Sequence, residues 1–255
     1  IYRLSYLGVI GGSGMNLEPQ FDTIEACEVS TIFGKPSAPV QKMSVSELDF
    51  CFLARHGNPH RIAPHQVNYR ANLQALCSRG VEIVLAINAV GAISESLLPG
   101  QLIIPDQIID YTWGREHTVD TGEAASLMHI EFTEPFDKGV RDELIDIAET
   151  LAIGIVNGSV IGVTQGPRLE SAAEIRKLSL DGCDLVGMTS MPEAAIAREL
   201  KLRYASICVV SNLAAGISEE KLSIDQIKNN VAARSRCIAS IIEECVQRIG
   251  KDSFK

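Results

Sequence analysis

The sequence predicts an α/β fold in which a mixed β-sheet is covered by helices on both faces. Short apolar runs rich in Val, Ile and Leu recur along the chain, and segments with helical periodicity lie between them. Polar residues cluster directly after several of these runs, where open α/β sheets bind their ligands. No linker, repeat or low-complexity segment divides the chain, so we predict one domain over residues 1–255.

Each predicted strand is an apolar run that stops at Gly, Asn or another polar residue. In chain order these runs are YLGVI (6–10), FCFLA (50–54), EIVLAIN (82–88), GQLIIPDQIIDY (100–111, with a Pro break), GSVIGVTQG (158–166), DLVGMT (184–189) and YASICVVSN (204–212). Each predicted helix repeats its apolar residues three or four positions apart. These helices are VNYRANLQALCSRG (67–80), VRDELIDIAETLA (140–152), ESAAEIRKLSLDG (170–182), PEAAIARELK (192–201) and one long segment at 224–249.

Composition restricts the class of function. The formal net charge of −9 argues against a general nucleic-acid binder, although a local basic pocket for a small anion remains open. No stretch is typical of a signal peptide or of an 18-residue membrane span, so we expect no membrane partner. The seven cysteines are odd in number and form no C-x-x-C pair, which predicts free thiols and a cytoplasmic location.

The run RHGNPHRIAPHQVNYRAN (55–72) holds three of the five histidines and suggests a metal site. Pro59 and Pro64 prevent His60 and His65 from sharing one helical face, and no Cys, Asp or Glu accompanies them. We therefore predict that the chain binds no metal here. For His60 and His65 the sequence favours a solvated loop.

The front of the same run is better explained as an anion site. Arg55 and His56 directly follow a buried strand, and a guanidinium at that edge offers a planar fork to phosphate oxygens. The glycine turn GVIGGSGMN (8–16) meets neither the G-x-G-x-x-G nor the P-loop pattern. Its backbone N–H groups and the Ser13 hydroxyl form a candidate anion nest, with a plain strand-end turn as the equal alternative.

Several long segments, in a fixed order, resemble the family of trimeric purine nucleoside phosphorylases and methylthioadenosine phosphorylases. They are IGGSG (10–14), ARHG (54–57), PHQVNYRANLQAL (64–76), INAVGAI (87–93), PGQLIIPDQIIDYT (99–112), HIEFTEPF (129–136), TQGPRLES (164–171), GCDLVGMTSMPEAAIAREL (182–200) and YASICVVSN (204–212). The resemblance implies a phosphorylase fold, a homotrimer or a dimer of trimers, and phosphorolysis of a purine nucleoside. Inorganic phosphate would be the co-substrate, with no other cofactor.

The resemblance also implies roles for single residues. The phosphate ligands would be Ser13, Arg55, His56, the backbone of Ala89, and Thr189. Arg55, His56 and Asn212 would be catalytic. The nucleoside would contact Leu169, Glu170, Met188, Asn212, Ala214, Ile224 and Ile227, together with His129 from a neighbouring subunit. Leu169 departs from the family, because an aromatic residue usually stacks on the base at this position.

Two polar residues predict which base is bound. A 6-oxopurine presents N1–H as a donor and O6 as an acceptor, whereas adenine reverses both groups. Glu170 can only accept when ionised, and Asn212 can donate, so the pair matches a 6-oxopurine. Adenine-preferring members resemble TDYD where this chain has SNLA (211–214). The structural alternative makes Glu170 a helix-start carboxylate and Asn212 a turn residue.

The sugar side is predicted from Ile224 and Ile227, which resemble the apolar wall of methylthio-preferring members. Ordinary core spacing explains the same pair. The two site predictions together indicate S-methyl-5′-thioinosine as the substrate, with hypoxanthine and 5-methylthioribose 1-phosphate as products. The alternatives are S-methyl-5′-thioadenosine and a broader range of 6-oxopurine nucleosides such as inosine and guanosine.

Other classes of protein are disfavoured by particular residues. A hydrolase of the same bond would not need the Arg55–His56 pair. A non-catalytic purine-binding protein would not need a complete phosphate site. A Rossmann oxidoreductase fits the strand–helix order but lacks the glycine fingerprint.

Overall fold

The computed structural model describes residues 7–13, 15, 21–122, 127–218 and 224–251, apart from the side chain of Ile224. Its strands belong to one 11-stranded mixed sheet, which confirms the predicted fold class. The strands are β1 (Leu7–Gly11), β2 (Asp22–Cys27), β3 (Val40–Val45), β4 (Leu48–Ala54), β5 (Ile83–Ala92), β6 (Leu102–Ile104), β7 (Gln107–Asp110), β8 (Ile155–Asn157), β9 (Val160–Val163), β10 (Leu185–Gly187) and β11 (Arg203–Leu213).

Helices cover both faces of the sheet. They are α1 (Tyr69–Ser78), α2 (Lys138–Thr150), α3 (Ala172–Leu180), α4 (Ser190–Glu199), α5 (Ile224–Ala232) and α6 (Ser235–Gly250). Buried residues of α1 and α4 share one hydrophobic cluster, and those of α2 and α6 share the cluster on the opposite face. In the described part of the chain, no helix is long and apolar enough to cross a membrane.

Strand β5 is the centre of the sheet. Val84, Ala86 and Val90 enter the α1/α4 cluster, whereas the alternate residues Ile83 and Leu85 enter the α2/α6 cluster. Because successive side chains of a strand point to opposite faces, a strand covered on both sides is apolar almost throughout. This explains why EIVLAIN reads as a continuous apolar run.

The order of the strands determines where a ligand site can form. The sheet runs β2-β3-β4-β1-β5-β10-β9-β7, and β11 pairs with β5 in parallel along its whole length. Strands β1 and β4 are parallel to β5, but β10 is antiparallel to it. β10 pairs with Gly91 and Ala92 at the end of β5 and runs back along it, so its carboxyl end is directed towards the carboxyl ends of β1 and β4.

The structure differs from the sequence prediction in two respects. Strands β2, β3 and β8 were not predicted; β2 is largely exposed and β8 has only three residues. The single helix predicted at 224–249 is wrong, because the chain breaks at Ala233 and Arg234 and forms α5 and α6. Helical periodicity on both sides of a short break resembles that of one helix.

Candidate active site

A cavity of about 450 Å³ opens at the carboxyl ends of the central strands. Its size is that of a site for a small molecule. It contains every predicted site residue except His129 and Ile224: Ser13, Arg55, His56, Ala89, Leu169, Glu170, Met188, Thr189, Asn212, Ala214 and Ile227. His129 is exposed and does not line the cavity, and the side chain of Ile224 lies outside the described residues.

Arg55 is fully buried at the inner end of this cavity. Its Nε donates to Oε2 of Glu193 at 2.7 Å, and its Nη2 donates to Oε1 of Glu193 at 2.8 Å. Its Nη1 donates to the carbonyl of Ile87 at 3.1 Å. Glu193 therefore occupies the Nε–Nη2 edge of the planar fork predicted for phosphate, and one N–H of Nη1 and one of Nη2 remain for a ligand.

The same contact concerns the segment SMPE (190–193) at the start of α4. Ser190 and Glu193 have the spacing of a capping box, but the helix is capped at Thr189 without a side-chain hydrogen bond. Met191 has extended backbone dihedrals (φ −119°, ψ 136°), so the first turn is interrupted. Glu193 binds Arg55 instead of the helix N-terminus. Burial alone would lower the pKa of Arg55, but Glu193 outweighs it and raises that pKa above its usual value.

His56 is buried beside Arg55, and its Nδ1 lies 2.8 Å from the carbonyl of Ile62. A carbonyl can only accept, so Nδ1 carries the hydrogen and Nε2 is the unprotonated nitrogen of the neutral ring. Burial, then the charge of Arg55, lowers the pKa of His56 to about 4. The ring is therefore neutral near pH 7 and offers a hydrogen-bond acceptor at Nε2.

The depressed pKa of His56 predicts acid sensitivity of the fold. The unfolded chain takes up a proton on this ring below a pH of about 6.5, whereas the folded chain takes it up only near the value of about 4. The stability contributed by neutral His56 is thus complete above pH 6.5 and is lost as the pH falls towards 4. Between pH 7 and pH 4.5 the wild type should lose about 2 kcal/mol more stability than His56→Gln.

Urea unfolding at both pH values measures this difference. His65→Gln is the control, because His65 is exposed and does not line the cavity. It should keep the pH dependence of the wild type. An equal loss in the wild type and His56→Gln would show that His56 does not cause the acid sensitivity.

His60 is exposed in a turn, as predicted for a solvated loop, but it also lines the cavity. Its Nε2 lies 2.9 Å from Oγ of Ser13, and its ring lies 4.6 Å from the ring of His56. If Nε2 carries the hydrogen, Ser13 accepts it and can donate its own proton into the cavity. The spacing between the histidines was the sequence feature that could have indicated this role of His60, but we compared it only with metal-ligand patterns. His65 stays exposed, as expected.

Asn88 organises the polar groups in the middle of β5. Its Nδ2 donates to the hydroxyls of Ser190 at 3.1 Å and Ser206 at 2.8 Å, and its Oδ1 accepts from Thr189 at 3.2 Å. These side chains are buried. The network holds Thr189 at the cavity wall beside the backbone of Ala89, so the two predicted phosphate ligands are brought together by Asn88.

Glu170 lines the cavity from the loop before α3, where Oγ1 of Thr164 donates to its Oε1 at 2.5 Å. The second carboxylate oxygen, Oε2, keeps its capacity to accept. Glu170 directly precedes the N-cap of α3, so its alternative role as a helix-start carboxylate stays a prediction. Ser171 is the N-cap of α3, and Glu174 completes a capping box with it.

Asn212 reaches the cavity because β11 contains a bulge. Val210 pairs with Val90 and Asn212 pairs with Gly91, so Ser211 is an extra residue in β11 that has no pairing partner on β5. A bulge redirects the side chains that follow it. Nδ2 of Asn212 donates to the carbonyl of Leu213 at 2.8 Å, which orients the amide and leaves one N–H to donate.

Arg115 was not identified from the sequence, yet it holds several loops of the site together. It is buried and donates to the carbonyls of Thr164, Gln165, Met188 and Met191 at 2.6–3.1 Å. These carbonyls lie in the segments that carry Glu170 and Thr189. A single Arg in a loop gives no sequence pattern, so only the tertiary structure reveals this role.

The cavity also contains apolar and cationic residues. Ile62, Pro64 and Ile227 line it, and so do the cationic residues Arg61 and Lys228. Ile227 and Lys228 come from α5, which Asn230 ties to the end of β11 through a 2.6 Å bond to the carbonyl of Ser211. Of the two residues predicted to form an apolar wall, only Ile227 is therefore shown to line the cavity. Ile62 and Pro64 are further apolar residues of the lining.

Comparison with known proteins decides the family. The model of the Phosphorylase superfamily matches residues 6–247. The chain belongs to the phosphorylase superfamily. This membership confirms the resemblance seen in the sequence and the prediction of an enzyme.

Members of this superfamily with similar sequences differ in their assigned substrates. A probable S-methyl-5′-thioinosine phosphorylase of Xylella fastidiosa is 44% identical over 239 residues, which covers 93% of this chain and 96% of that protein. A 6-oxopurine nucleoside phosphorylase of Pyrococcus furiosus is 38% identical, with 96% of this chain and 94% of that protein covered. The structure is also similar to that of a methylthioadenosine phosphorylase of Schistosoma mansoni in complex with adenine, with a TM-score of 0.91 and 32% sequence identity. The match covers 97% of this chain and 92% of that one.

Proposed function

We propose that this phosphorylase cleaves S-methyl-5′-thioinosine with inorganic phosphate and releases hypoxanthine and 5-methylthioribose 1-phosphate. The observation that carries the proposal is the presence of two kinds of polar group in one cavity. Arg55, His56 and Thr189 offer a place for phosphate, and Glu170 and Asn212 offer a place for a 6-oxopurine. The name of the Xylella fastidiosa relative supports the same substrate.

The reaction needs no nucleophilic side chain. A phosphate oxygen forms the new bond to C1′ of the sugar while the bond from C1′ to N9 of the purine breaks. The electron pair of that bond leaves with the purine, so negative charge grows on the base and positive charge on the sugar. Donors fixed near the base and an anion fixed near C1′ stabilise both charges.

In this proposal the phosphate lies among Ser13, Arg55, His56, Ala89 and Thr189. The Ser13 hydroxyl, the remaining Arg55 N–H groups and the backbone donate to its oxygens, and the Thr189 hydroxyl donates once its proton turns from Asn88 to the phosphate. Neutral His56 has an acceptor at Nε2, which fits the one O–H of a phosphate dianion. Asn88 and His60 orient Thr189 and Ser13 within this set.

The proposed base site has one acceptor and one donor in fixed orientations. Oε2 of Glu170 accepts from N1–H of hypoxanthine, because Thr164 already binds Oε1. The spare N–H of Asn212 donates to O6 or N7, where charge grows as the base leaves. Adenine presents an unprotonated N1, which the carboxylate disfavours.

The proposed methylthio site is the apolar part of the lining, formed by Ile62, Pro64 and Ile227. A broader 6-oxopurine phosphorylase is the second candidate. Lys228 lines the same cavity and could bind a 5′-hydroxyl, and the Pyrococcus furiosus relative carries the 6-oxopurine name.

A phosphorolysis panel tests the proposal with S-methyl-5′-thioinosine, S-methyl-5′-thioadenosine, inosine and adenosine, each with and without phosphate. We expect turnover only with phosphate, and a kcat/KM for methylthioinosine that exceeds the value for methylthioadenosine about 100-fold or more. Equal turnover of inosine would favour the broader enzyme. Preference for methylthioadenosine would refute the roles of Glu170 and Asn212, and turnover without phosphate would indicate a hydrolase.

The same proposal includes a homotrimer, or a dimer of trimers, of one-domain chains spanning residues 1–255. The exposed position of His129, outside the cavity lining, is consistent with its action on the sugar of a neighbouring protomer. We propose the cytoplasm as the location, which is supported because no disulfide joins the cysteines in the described part of the chain. Phosphate is proposed as the only co-substrate, with no metal and no organic cofactor.

A further inference from the structure

Glu193 is a buried carboxylate that does not line the cavity, so it cannot contact the substrates directly. Its two oxygens bind Nε and Nη2 of Arg55 at 2.7 and 2.8 Å. The hydroxyl of Tyr204 donates to Oε1 at 2.9 Å. Burial, followed by the charge of Glu193, raises the pKa of Tyr204 well above its usual value, so this hydroxyl keeps its proton and the carboxylate is held from two sides.

These contacts fix the direction of Arg55. A guanidinium has five N–H donors, and Glu193 and Ile87 engage three of them. One N–H of Nη1 and one of Nη2 remain. The backbone of Gly12 packs closely against Nη1, because a Cβ added at Gly12 would be only 3.0 Å from it.

The contacts also decide the charge of the inner cavity. Arg55 and Glu193 carry opposite charges and sum to zero. His56 is neutral near pH 7, and Ser13 and Thr189 are uncharged. The cationic residues of the lining, Arg61 and Lys228, are exposed in the outer cavity. A phosphate at the inner end is therefore held by oriented dipoles and single N–H groups, without a net positive charge.

This inference rests on the proposed phosphorolysis. We propose that Glu193 is a positioning residue that directs Arg55 and cancels its charge, so that the bound phosphate dianion keeps the negative charge it needs at C1′. An uncompensated arginine would bind phosphate more tightly in the ground state. It would also draw electron density away from the oxygen that attacks the sugar. Binding that favours the ground state over the transition state lowers kcat.

Glu193→Gln tests this role because it removes the charge and keeps the shape and one acceptor oxygen. We expect the KM for phosphate to fall about tenfold, since one negative charge behind Arg55 is lost. We expect kcat to fall by about the same factor, with the KM for the nucleoside unchanged within about twofold. A calorimetric titration of phosphate alone into the enzyme should show a correspondingly lower dissociation constant for phosphate.

Two further variants separate charge from folding. Glu193→Asp keeps the charge and should retain the phosphate KM of the wild type within about threefold. Glu143→Gln is the matched control, because Glu143 is also buried and ion-paired, with Arg248 at 3.0 Å, but does not line the cavity. It should lower the melting temperature and leave the phosphate KM unchanged.

A purely structural role for Glu193 predicts another result. Glu193→Gln would then raise the KM values for phosphate and nucleoside together, or weaken the binding of phosphate, and the inference would be overturned. Turnover of the wild type without phosphate would refute the proposed function instead. The calorimetric titration of phosphate would still measure the effect of Glu193 on anion binding in that case.

Discussion

Glu170→Gln is expected to lower kcat/KM for S-methyl-5′-thioinosine about 100-fold, because the charge-assisted bond to N1–H of the base is lost. The activity on S-methyl-5′-thioadenosine should change by less than about tenfold, because its N1 gains nothing from a carboxylate. The preference for the 6-oxopurine should therefore largely disappear. Initial rates with both nucleosides at saturating phosphate measure the ratio.

Glu174→Gln is the matched control for this change. Glu174 lies four residues after Glu170, outside the main cavity, and binds Arg168 and the N-terminus of α3. This substitution should leave the ratio of the two nucleosides unaltered. If Glu170→Gln also preserves the ratio, Glu170 does not select the base, and its bond to Thr164 is only structural.

Arg55→Met is expected to lower the free energy of unfolding by about 3–5 kcal/mol and to abolish phosphorolysis. The substitution leaves Glu193 as a buried carboxylate without its ionic partner, which is more costly than the loss of the pair itself. Urea unfolding of the single variants and of the double variant Arg55→Met/Glu193→Met measures both effects.

The double variant should be more stable than Arg55→Met by at least about 2 kcal/mol, because apolar residues of similar volume often replace a buried ion pair at little cost. It should stay inactive, since the phosphate donors of Arg55 are absent. Additive losses of stability would show that the two side chains do not form an energetically coupled pair. Activity in either variant would remove Arg55 from the proposed reaction.

Several features of this site are determined by local sequence. The central strand β5 is apolar on both faces, and a continuous apolar run such as EIVLAIN predicts that environment directly. Arg55, His56 and Ser13 follow predicted strands at once, and parallel strands end at one edge of a sheet. Their meeting in a single cavity therefore follows from the sequence and the general geometry of α/β folds.

The direction of each polar side chain was not predictable in this way. Arg55 faces Glu193, which is far from it in sequence, and Asn212 depends on the bulge at Ser211. Local pattern gives no information on which distant carboxylate a buried guanidinium meets, nor on a change of register between two apolar strands. Arg115 is a further case, because carbonyl acceptors are present at every residue and leave no trace in the sequence.

The sequence by itself determined the α/β class, the order of the main strands and helices, and the residue types available for an anion and a purine. These depend on hydrophobic periodicity and on turn residues, which act over a few positions. Only the tertiary structure decided that Glu193 neutralises Arg55, that His60 joins Ser13, and that His56 keeps a free acceptor. The first two contacts join groups that are 138 and 47 residues apart, which no local pattern can pair, and the third depends on the burial of the His56 ring.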